Sequence, residues 1–289
     1  MKGIVLAGGK GSRLYPLTLG VSKHLMPVYD KPMIYYPLSV LMIAGIREIL
    51  IISTAKDVIL YEKLLGNGSQ FGIKISYAVQ NEPKGIAEAL LIGENFINGD
   101  SVALILGDNI FYGYGFSKIL EEAAQINQGA TVFSYFVNDP ESYGIVETNS
   151  SGEVFAIEEK PTEPKSNYAI TGLYFYDGQA ASLVKELSYS SRGELEITDL
   201  NKKYLELGML EVERLGRGMV WFDTGTHDSL LEASALVKAI EHRQGLKIAC
   251  LEELAYSKGY ISKNDLLEQA EYFNNQYGEY LKKVARDLL

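Results

Sequence analysis

The chain has 289 residues, enough for one large domain or two small ones, and its 47% hydrophobic and 22% charged residues are typical of a globular protein. Its formal net charge of −10 argues against nucleic acid and anionic membranes as partners, since a basic surface supplies the affinity for both. The single cysteine, Cys250, excludes an internal disulfide, and three histidines argue against a structural zinc site. Because no apolar run matches the core of a signal peptide or a membrane span, we expect a soluble, cytoplasmic protein.

Short apolar runs alternate with amphipathic segments over the first 140 residues, which predicts strands joined by crossover helices. We expect strands at residues 3–7, 48–53, 73–79, 101–106 and 130–137. We expect helices at residues 33–44, 86–96 and 116–126, and a further helix that follows the strand at 48–53 and ends at residue 65. The near-continuous apolar strands are typical of a mostly parallel sheet that is covered on both faces.

The pattern changes after about residue 139. Short strand-like runs at 143–147, 154–158 and 168–176 favour antiparallel strands added to the parallel sheet. Further on we expect helices at 194–207 and 227–239, a strand at 217–223 and an amphipathic helical tail at 263–289. These elements predict a Rossmann-like, mostly parallel open sheet in an α/β domain of residues 1–240, followed by a C-terminal helical elaboration at 241–289.

A glycine-rich turn, LAGGKGSRL at residues 6–14, follows the first strand. Glycines there allow backbone N–H groups to approach a phosphate, and a helix N-terminus after them would add a favourable dipole. The spacing matches neither a Walker A loop nor the dinucleotide fingerprint, where a third glycine would replace Leu14. With the nearby cations Arg13 and Lys23, the turn indicates a phosphate-rich ligand; the alternative is an ordinary strand–helix turn with solvated charges.

Two aspartates, Asp108 and Asp223, each close an apolar strand. Ligands of open α/β sheets bind at the carboxyl ends of strands, so both acids are well placed for a metal. Two carboxylates without a histidine cluster suit a hard ion such as Mg²⁺. Each aspartate could equally serve as a turn or cap residue.

Two further polar residues stand at strand ends. Gln80, taken alone, is most simply interpreted as a polar loop residue. Lys160 follows two acids, a pattern usual for a solvated edge.

Several motifs carry a resemblance to a known family. The glycine-rich turn is followed by SKHLMPV at 22–28, KPM at 31–33, GDN at 107–109, EKP at 159–161, RGELEITD at 192–199 and WFDTGT at 221–226. In this order they resemble the sugar-1-phosphate nucleotidylyltransferases, and among them the short bacterial glucose-1-phosphate thymidylyltransferases. The resemblance covers essentially the whole chain.

The resemblance implies a nucleotide-binding part at about residues 1–139 and a sugar-binding part at about 140–226. It implies that the nucleotide is bound by Leu6, Gly8, Gly9, Gly11, Ser12, Arg13, Lys23, His24, Gln80, Gly85 and Asp108. The sugar phosphate would be bound by Asn109, Tyr143, Gly144, Glu159, Lys160, Ile170 and Trp221. Mg²⁺ would be held by Asp108 and Asp223, and the residues expected to be catalytic are Arg13, Lys23, Asp108, Lys160 and Asp223.

The implied reaction transfers a thymidylyl group from dTTP to α-D-glucose 1-phosphate, giving dTDP-glucose and pyrophosphate at the start of dTDP-rhamnose or other deoxysugar synthesis. His24 stands where this subfamily commonly has glutamine, which leaves the preference for dTTP over UTP open. The resemblance also implies a homotetramer and feedback inhibition by a dTDP-sugar, with Arg217 as a candidate effector contact.

Three other functions use similar features. The first is a nucleotidylyltransferase that takes UTP or another nucleotide. The second is a non-catalytic nucleotide-sugar-binding regulator, against which the joint presence of the five expected catalytic residues argues. The third is a glycosyltransferase, but the paired Asp-x-Asp typical of those enzymes does not occur in this sequence.

Overall fold

The structure, a computed structural model, describes residues 1–149 and 151–286. The strands are β1 (Lys2–Leu6), β2 (Pro27–Val28), β3 (Lys31–Pro32), β4 (Glu48–Ser53), β5 (Lys74–Val79), β6 (Val102–Leu106), β7 (Asn109–Gly113), β8 (Ala130–Phe136), β9 (Gly144–Thr148), β10 (Val154–Glu159), β11 (Tyr168–Tyr176), β12 (Leu210–Arg214) and β13 (Met219–Asp223). The helices are α1 (Tyr35–Ile43), α2 (Ala55–Leu65), α3 (Glu88–Ile92), α4 (Glu94–Ile97), α5 (Phe116–Ala123), α6 (Ala180–Val184), α7 (Ile197–Glu206), α8 (His227–Gln244), α9 (Leu251–Ser257), α10 (Lys263–Tyr272) and α11 (Gln276–Ala285).

A nine-stranded mixed sheet organises the molecule. Its parallel part has the order β6-β1-β4-β5, and β11 then joins β6 in the antiparallel direction. Strands β8, β9 and β10 extend this antiparallel part, while β12 runs parallel to β8. Two ribbons, β2–β3 and β7–β13, lie outside the large sheet. The predicted α/β class, with a mostly parallel sheet flanked by helices and an antiparallel addition, is confirmed.

Both faces of the sheet carry an apolar core, which explains why its strands contain few polar residues. One core includes Leu38 of α1 and the C-terminal Leu251, Leu266 and Leu281. The core on the other side includes residues of α3, α6 and α7, such as Leu200. Because the C-terminal helices share a core with the sheet, they are a packed part of the fold. The division predicted after residue 240 falls within α8 and stays a prediction.

Some predicted element boundaries are wrong. The helix predicted at 86–96 is divided into α3 and α4 at Gly93, where an added Cβ would lie 2.7 Å from the Ile4 Cδ1 atom. The C-terminal tail forms α10 and α11 rather than one helix, and its last residues, 287–289, lie outside the described residues. Six elements had no sequence prediction: α6, α9, β2, β3, β7 and β12. None of the described helices is both long enough and apolar enough to cross a membrane.

A buried ion cluster joins the β2–β3 ribbon to the C-terminal helices. The Lys31 ammonium, 2% exposed, donates to Asp30 and, at 2.8 Å, to Glu241 Oε1 of α8. The same Glu241 oxygen accepts the Ile248 N–H at 2.9 Å, and Lys247 pairs with Asp30 and Glu241. Met26, the residue before this ribbon, donates its N–H to the Lys23 carbonyl at 3.0 Å. The ion cluster therefore holds the ribbon that follows Lys23 in the chain.

We expect Lys31→Met to lower the free energy of unfolding by about 1.5–3 kcal/mol, because the buried Glu241 would lose the nearer of its two cations and keep only Lys247. The double variant Lys31→Met/Glu241→Gln should lose less, since a neutral amide oxygen can still accept the Ile248 N–H. Urea unfolding measures both values. Equal losses in the two variants would show that the uncompensated charge is not the cause.

Candidate active site

A cleft of about 380 Å³, the central cleft, opens at the carboxyl ends of β1 and β6. It is widened because β11 changes partners along one edge: Ala169 pairs with β9, whereas β6 pairs only from Leu173 onward. Most of the residues predicted for the two substrates line it. These are Leu6, Gly8, Gly9, Arg13, His24, Gln80, Gly85, Asp108, Asn109, Tyr143, Gly144, Glu159, Lys160, Ile170, Trp221 and Asp223.

The glycine-rich turn forms one wall of the central cleft. Gly9 and Gly11 have φ of 94° and 59°, in the left-handed region that favours glycine. The helix expected after the turn is only a single 3-10 turn, Ser12–Leu14, so the predicted helix dipole is wrong. Within the described residues, the N–H groups of residues 8–13 donate to no protein acceptor, which leaves them available to an anion.

Lys23 and Asp108 form an ion pair at the edge of the cleft. The Lys23 ammonium, 9% exposed, donates to Asp108 Oδ2, although Lys23 itself is not among the lining residues. Burial alone would raise the pKa of Asp108, but the charge of Lys23 holds it well below its usual range. The Asp108 backbone carbonyl accepts the N–H of Thr224 at 3.0 Å and its hydroxyl at 2.7 Å. Asp108 therefore joins the end of β6 to the end of β13.

Both polar atoms of the Asn109 side chain form hydrogen bonds with neighbouring residues. Its Oδ1 accepts the Gly172 N–H at 2.9 Å and the Trp221 indole N–H at 2.6 Å, while its Nδ2 donates to Asp108 Oδ1 at 3.0 Å. An added Cβ on Gly172 would lie 2.6 Å from Asn109 Oδ1, so glycine is required at this point of β11. The amide thereby orients the Asp108 carboxylate.

Asp223 lies opposite Asn109 in the β7–β13 ribbon, beside Asp108. Its Oδ1 is buried without a hydrogen-bond partner among the described residues, and its Oδ2 lies 4.0 Å from the Arg13 guanidinium. Burial and the negative charge of Asp108 raise the pKa of Asp223 to about 6. A buried, unpartnered carboxylate oxygen near a second carboxylate fits a bound cation.

The described residues contain no group of three or more His, Cys, Asp or Glu side chains arranged to hold a metal. Mg²⁺ usually keeps several waters and takes one or two carboxylates together with substrate phosphates. Asp108 and Asp223 therefore fit a metal that is completed by its substrate rather than a site built entirely by the protein.

The other end of the cleft carries Glu159 and Lys160 at the close of β10. Glu159 accepts hydrogen bonds from the Thr198 hydroxyl and, at 3.3 Å, from the Arg192 guanidinium. Lys160 has φ of 45°, unfavourable for a residue with a Cβ, and its N–H donates to the Tyr143 carbonyl at 3.0 Å. Lys160 is exposed and lines the cleft.

Sequence analysis assigned no role to Arg192, although the RGELEITD motif contains it. Its guanidinium lies 3.3 Å from Glu159, 3.6 Å from Glu194 and 2.7 Å from Glu196. An arginine with two acids beside it in the sequence is typical of a solvated loop. Arg192 lines the cleft together with these three acids, of which Glu159 is 33 positions away in the sequence.

Gln80, Gly85 and His24 also line the cleft. Gln80 is 6% exposed, and Gly85 has φ of 103° with room for no Cβ, which would lie 2.2 Å from the Leu195 carbonyl oxygen. His24 is also buried, its Nδ1 lies 3.3 Å from the Tyr61 hydroxyl, and burial lowers its pKa to about 4. The imidazole is therefore neutral at pH 7.

Three predicted residues besides Lys23 do not line the cleft: Gly11, Ser12 and Arg217. Gly11 and Ser12 still belong to the glycine-rich turn. Arg217 lies in the exposed connection between β12 and β13, apart from the cleft.

Comparisons with known proteins identify the family of this chain. The profile of the nucleotidyl transferase family matches residues 2–239. A glucose-1-phosphate thymidylyltransferase from Neisseria meningitidis serogroup A is 57% identical over 287 residues, which cover 99% of this chain and 100% of the relative. A protein of the same name from Mycolicibacterium smegmatis is 53% identical, with 98% of this chain and 99% of the relative covered.

Two solved structures are similar in fold. A Bacillus anthracis protein assigned as a glucose-1-phosphate thymidylyltransferase and crystallised with sucrose has a TM-score of 0.76 at 45% identity, with 82% of this chain and 94% of that chain covered. UDP-glucose pyrophosphorylase complexed with UDP-glucose has a TM-score of 0.71 at 24% identity, covering 83% of this chain and 98% of that chain, a likeness that shows the fold alone.

Proposed function

This chain belongs to the nucleotidyl transferase family, and from that premise we propose that it transfers a thymidylyl group from dTTP to α-D-glucose 1-phosphate. The products are dTDP-glucose and pyrophosphate. The observation that carries the proposal is the single cleft in which a glycine-rich turn, two carboxylates and Lys160 face one another. Relatives above 50% identity that carry this activity in their names support the choice of substrates.

The reaction needs no general base. A phosphate oxygen of glucose 1-phosphate is already ionised at neutral pH and attacks the α-phosphorus of dTTP in line. One P–O bond forms to the sugar phosphate while the bond to the β-phosphate oxygen breaks, and that electron pair leaves with pyrophosphate. The enzyme must therefore align two polyanions and offset their repulsion.

Different residues of the cleft bind the two polyanions and offset their repulsion. The free N–H groups of residues 8–13 and the Arg13 guanidinium bind the triphosphate. Lys23, buried beside Asp108, stabilises the charge that builds at the α-phosphate. Lys160 anchors the phosphate of the nucleophile, and Glu159 accepts hydrogen bonds from sugar hydroxyls.

The nucleotidyltransferase family generally uses a divalent metal, and we infer that here it is Mg²⁺. Asp108 and Asp223 would hold it, because both carboxylates lie at the same strand ends and one oxygen of Asp223 has no protein partner. When bound, Mg²⁺ supplies positive charge that offsets the repulsion between the reacting phosphates. Without it, the two acids oppose each other's charge.

The preference for thymine is the finer part of the proposal. The Gln80 amide binds the O4 and N3–H edge of the base, and Gly85 lines the cleft with it. His24 presents a neutral imidazole where the subfamily commonly has glutamine. A homotetramer, feedback inhibition by a dTDP-sugar and an effector contact at Arg217 stay predictions.

A matrix of nucleotides against sugar 1-phosphates tests the proposed activity. We expect pyrophosphate release, measured with pyrophosphatase and malachite green, to be fastest with dTTP and glucose 1-phosphate. A higher rate with UTP or another nucleotide would reassign the substrate. No release with any pair would favour the non-catalytic regulator.

We expect Asp223→Asn to abolish turnover without loss of stability. The variant removes a carboxylate whose Oδ1 lacks a partner and which opposes Asp108, so its unfolding midpoint in urea with EDTA should equal or exceed that of the wild type. Turnover should fall by about 100-fold or more, as for loss of electrostatic stabilisation at a reacting phosphate.

Asp108→Asn is the matched comparison. It should lose turnover equally but also lose about 3 kcal/mol of stability, because Lys23 would stay buried without its partner. An active Asp223→Asn variant, or one that is as unstable as Asp108→Asn, would contradict the assignment.

We expect Lys160→Ala and Lys160→Gly to weaken glucose 1-phosphate binding by about 10–100-fold, the loss of one charged hydrogen bond. The affinity for dTTP should change by less than about twofold. Calorimetry with a non-hydrolysable dTTP analogue, and then with glucose 1-phosphate added to that complex, measures both.

The two Lys160 variants should differ in stability alone. Lys160→Gly relieves the left-handed conformation and should unfold with about 1 kcal/mol more free energy than Lys160→Ala. Equal weakening of both ligands would show that Lys160 does not act on the sugar phosphate.

A further inference from the structure

Gln80 is buried at the end of the central cleft that the proposed function assigns to the nucleotide base. It follows β5, its backbone N–H donates to the Ser53 carbonyl at 2.8 Å, and it is 6% exposed. A glutamine amide in a given position still has two orientations, which differ by a flip that exchanges its oxygen and its nitrogen. The direction of that flip decides which hydrogen-bonding pattern the cleft presents to a base.

One contact fixes the flip. The Gln80 Nε2 donates to Glu88 Oε2, at the start of α3, at 2.6 Å. An ionised carboxylate only accepts hydrogen bonds, so the NH₂ group must face Glu88. The Gln80 oxygen is thereby turned toward Gly8, where an added Cβ would lie 2.9 Å from it. Gly8 and Gln80 both line the cleft, whereas Glu88 does not.

The fixed amide presents an acceptor, Oε1, and the second N–H of its nitrogen. Thymine and uracil offer the complementary pair, the N3–H donor and the O4 acceptor. Cytosine offers the reverse pair, the N3 acceptor and the N4–H donor, which only a flipped amide could match in the same position. The orientation of one amide therefore distinguishes the two classes of pyrimidine.

We propose that Glu88 is a positioning residue that sets base specificity by locking the Gln80 amide in the orientation that selects thymine and uracil over cytosine. The inference rests on the proposed function, since it concerns the base end of the same nucleotide site. It adds a residue outside the cleft that acts only through Gln80.

The test compares Glu88→Gln with the wild type. A glutamine at 88 can accept or donate, so it permits both flips of the Gln80 amide. We expect the ratio of kcat/KM for dTTP to that for dCTP, with glucose 1-phosphate as acceptor, to fall by about tenfold, the value of one mismatched hydrogen bond. The KM for glucose 1-phosphate should not change.

Glu82→Gln is the matched control. It removes the same charge from the connection between β5 and α3, just before Glu88, but Glu82 is 72% exposed, pairs with Lys84 at 3.2 Å and does not line the cleft. Its dTTP-to-dCTP ratio should equal that of the wild type. A fall in the control would show that the net charge near the site, rather than the amide lock, sets the ratio.

A double-mutant cycle tests whether Glu88 acts through Gln80. In a Gln80→Ala background, Glu88→Gln should leave the ratio unchanged. An equal fall in that background, or no fall in the wild-type background, would overturn the proposal. Thermal unfolding of each variant identifies any that do not fold, and Glu88→Ala, which also removes the acceptor, then replaces Glu88→Gln.

Calorimetric binding of dTTP and dCTP separates this inference from the proposed function. If the wild type turns over no nucleotide, the proposed function fails, yet the change in relative affinity between the two nucleotides still tests the lock. If relative affinity is unchanged by Glu88→Gln, the lock is wrong even where thymidylyl transfer is found.

Discussion

The structure depends on the way Asp108 and Asn109 join the parallel part of the sheet to its antiparallel addition. The backbone carbonyl of Asp108 binds Thr224, so the end of β6 is fixed to the end of β13. The Asn109 side-chain oxygen accepts hydrogen bonds from Gly172 of β11 and Trp221 of β13, and its nitrogen donates to the Asp108 carboxylate. This dipeptide therefore connects the end of β6 to both β11 and β13 at the cleft.

The electrostatics of the cleft differ from those of the whole chain. The net charge of −10 argues against nucleic acid, which needs an extended basic surface, but it does not determine the potential in a small cleft. Arg13, Lys160 and the unpaired N–H groups of the glycine-rich turn supply local positive charge to a polyphosphate. Burial makes the remaining repulsion between Asp108 and Asp223 strong, and this repulsion is why the pair suits a cation.

Much of the architecture was predictable because burial on both faces imposes a simple pattern on parallel strands. The boundaries of β4 and β11 match the predicted residues, since turn residues end each apolar run. The strand β7 was not predictable, because only the two-residue turn of Gly107 and Asp108 separates it from β6 and its pairing partner is β13, 106 residues further on at the closest register. Arg192 was missed for a similar reason, since its neighbours in sequence indicate a solvated loop, whereas its contact with Glu159 joins segments 33 positions apart. Contacts between distant segments leave no local pattern, whereas the glycines and acids of the cleft lie at strand ends, where the sequence marks them.

The acids around the cleft do not all have the same task. Asp223 has a free oxygen and suits a metal, but Glu88 orients an amide, and Glu196 holds the guanidinium of Arg192. An acceptor-only group that faces a donor removes the alternative orientations of that donor, and a site organised in this way loses less entropy when its ligand binds. The cost is additional negative charge near a polyanionic substrate, which the cations and the bound metal must offset. An acidic chain can therefore bind polyphosphates well, provided that its carboxylates pair with the amide and guanidinium groups that contact the ligand and do not themselves face the phosphates.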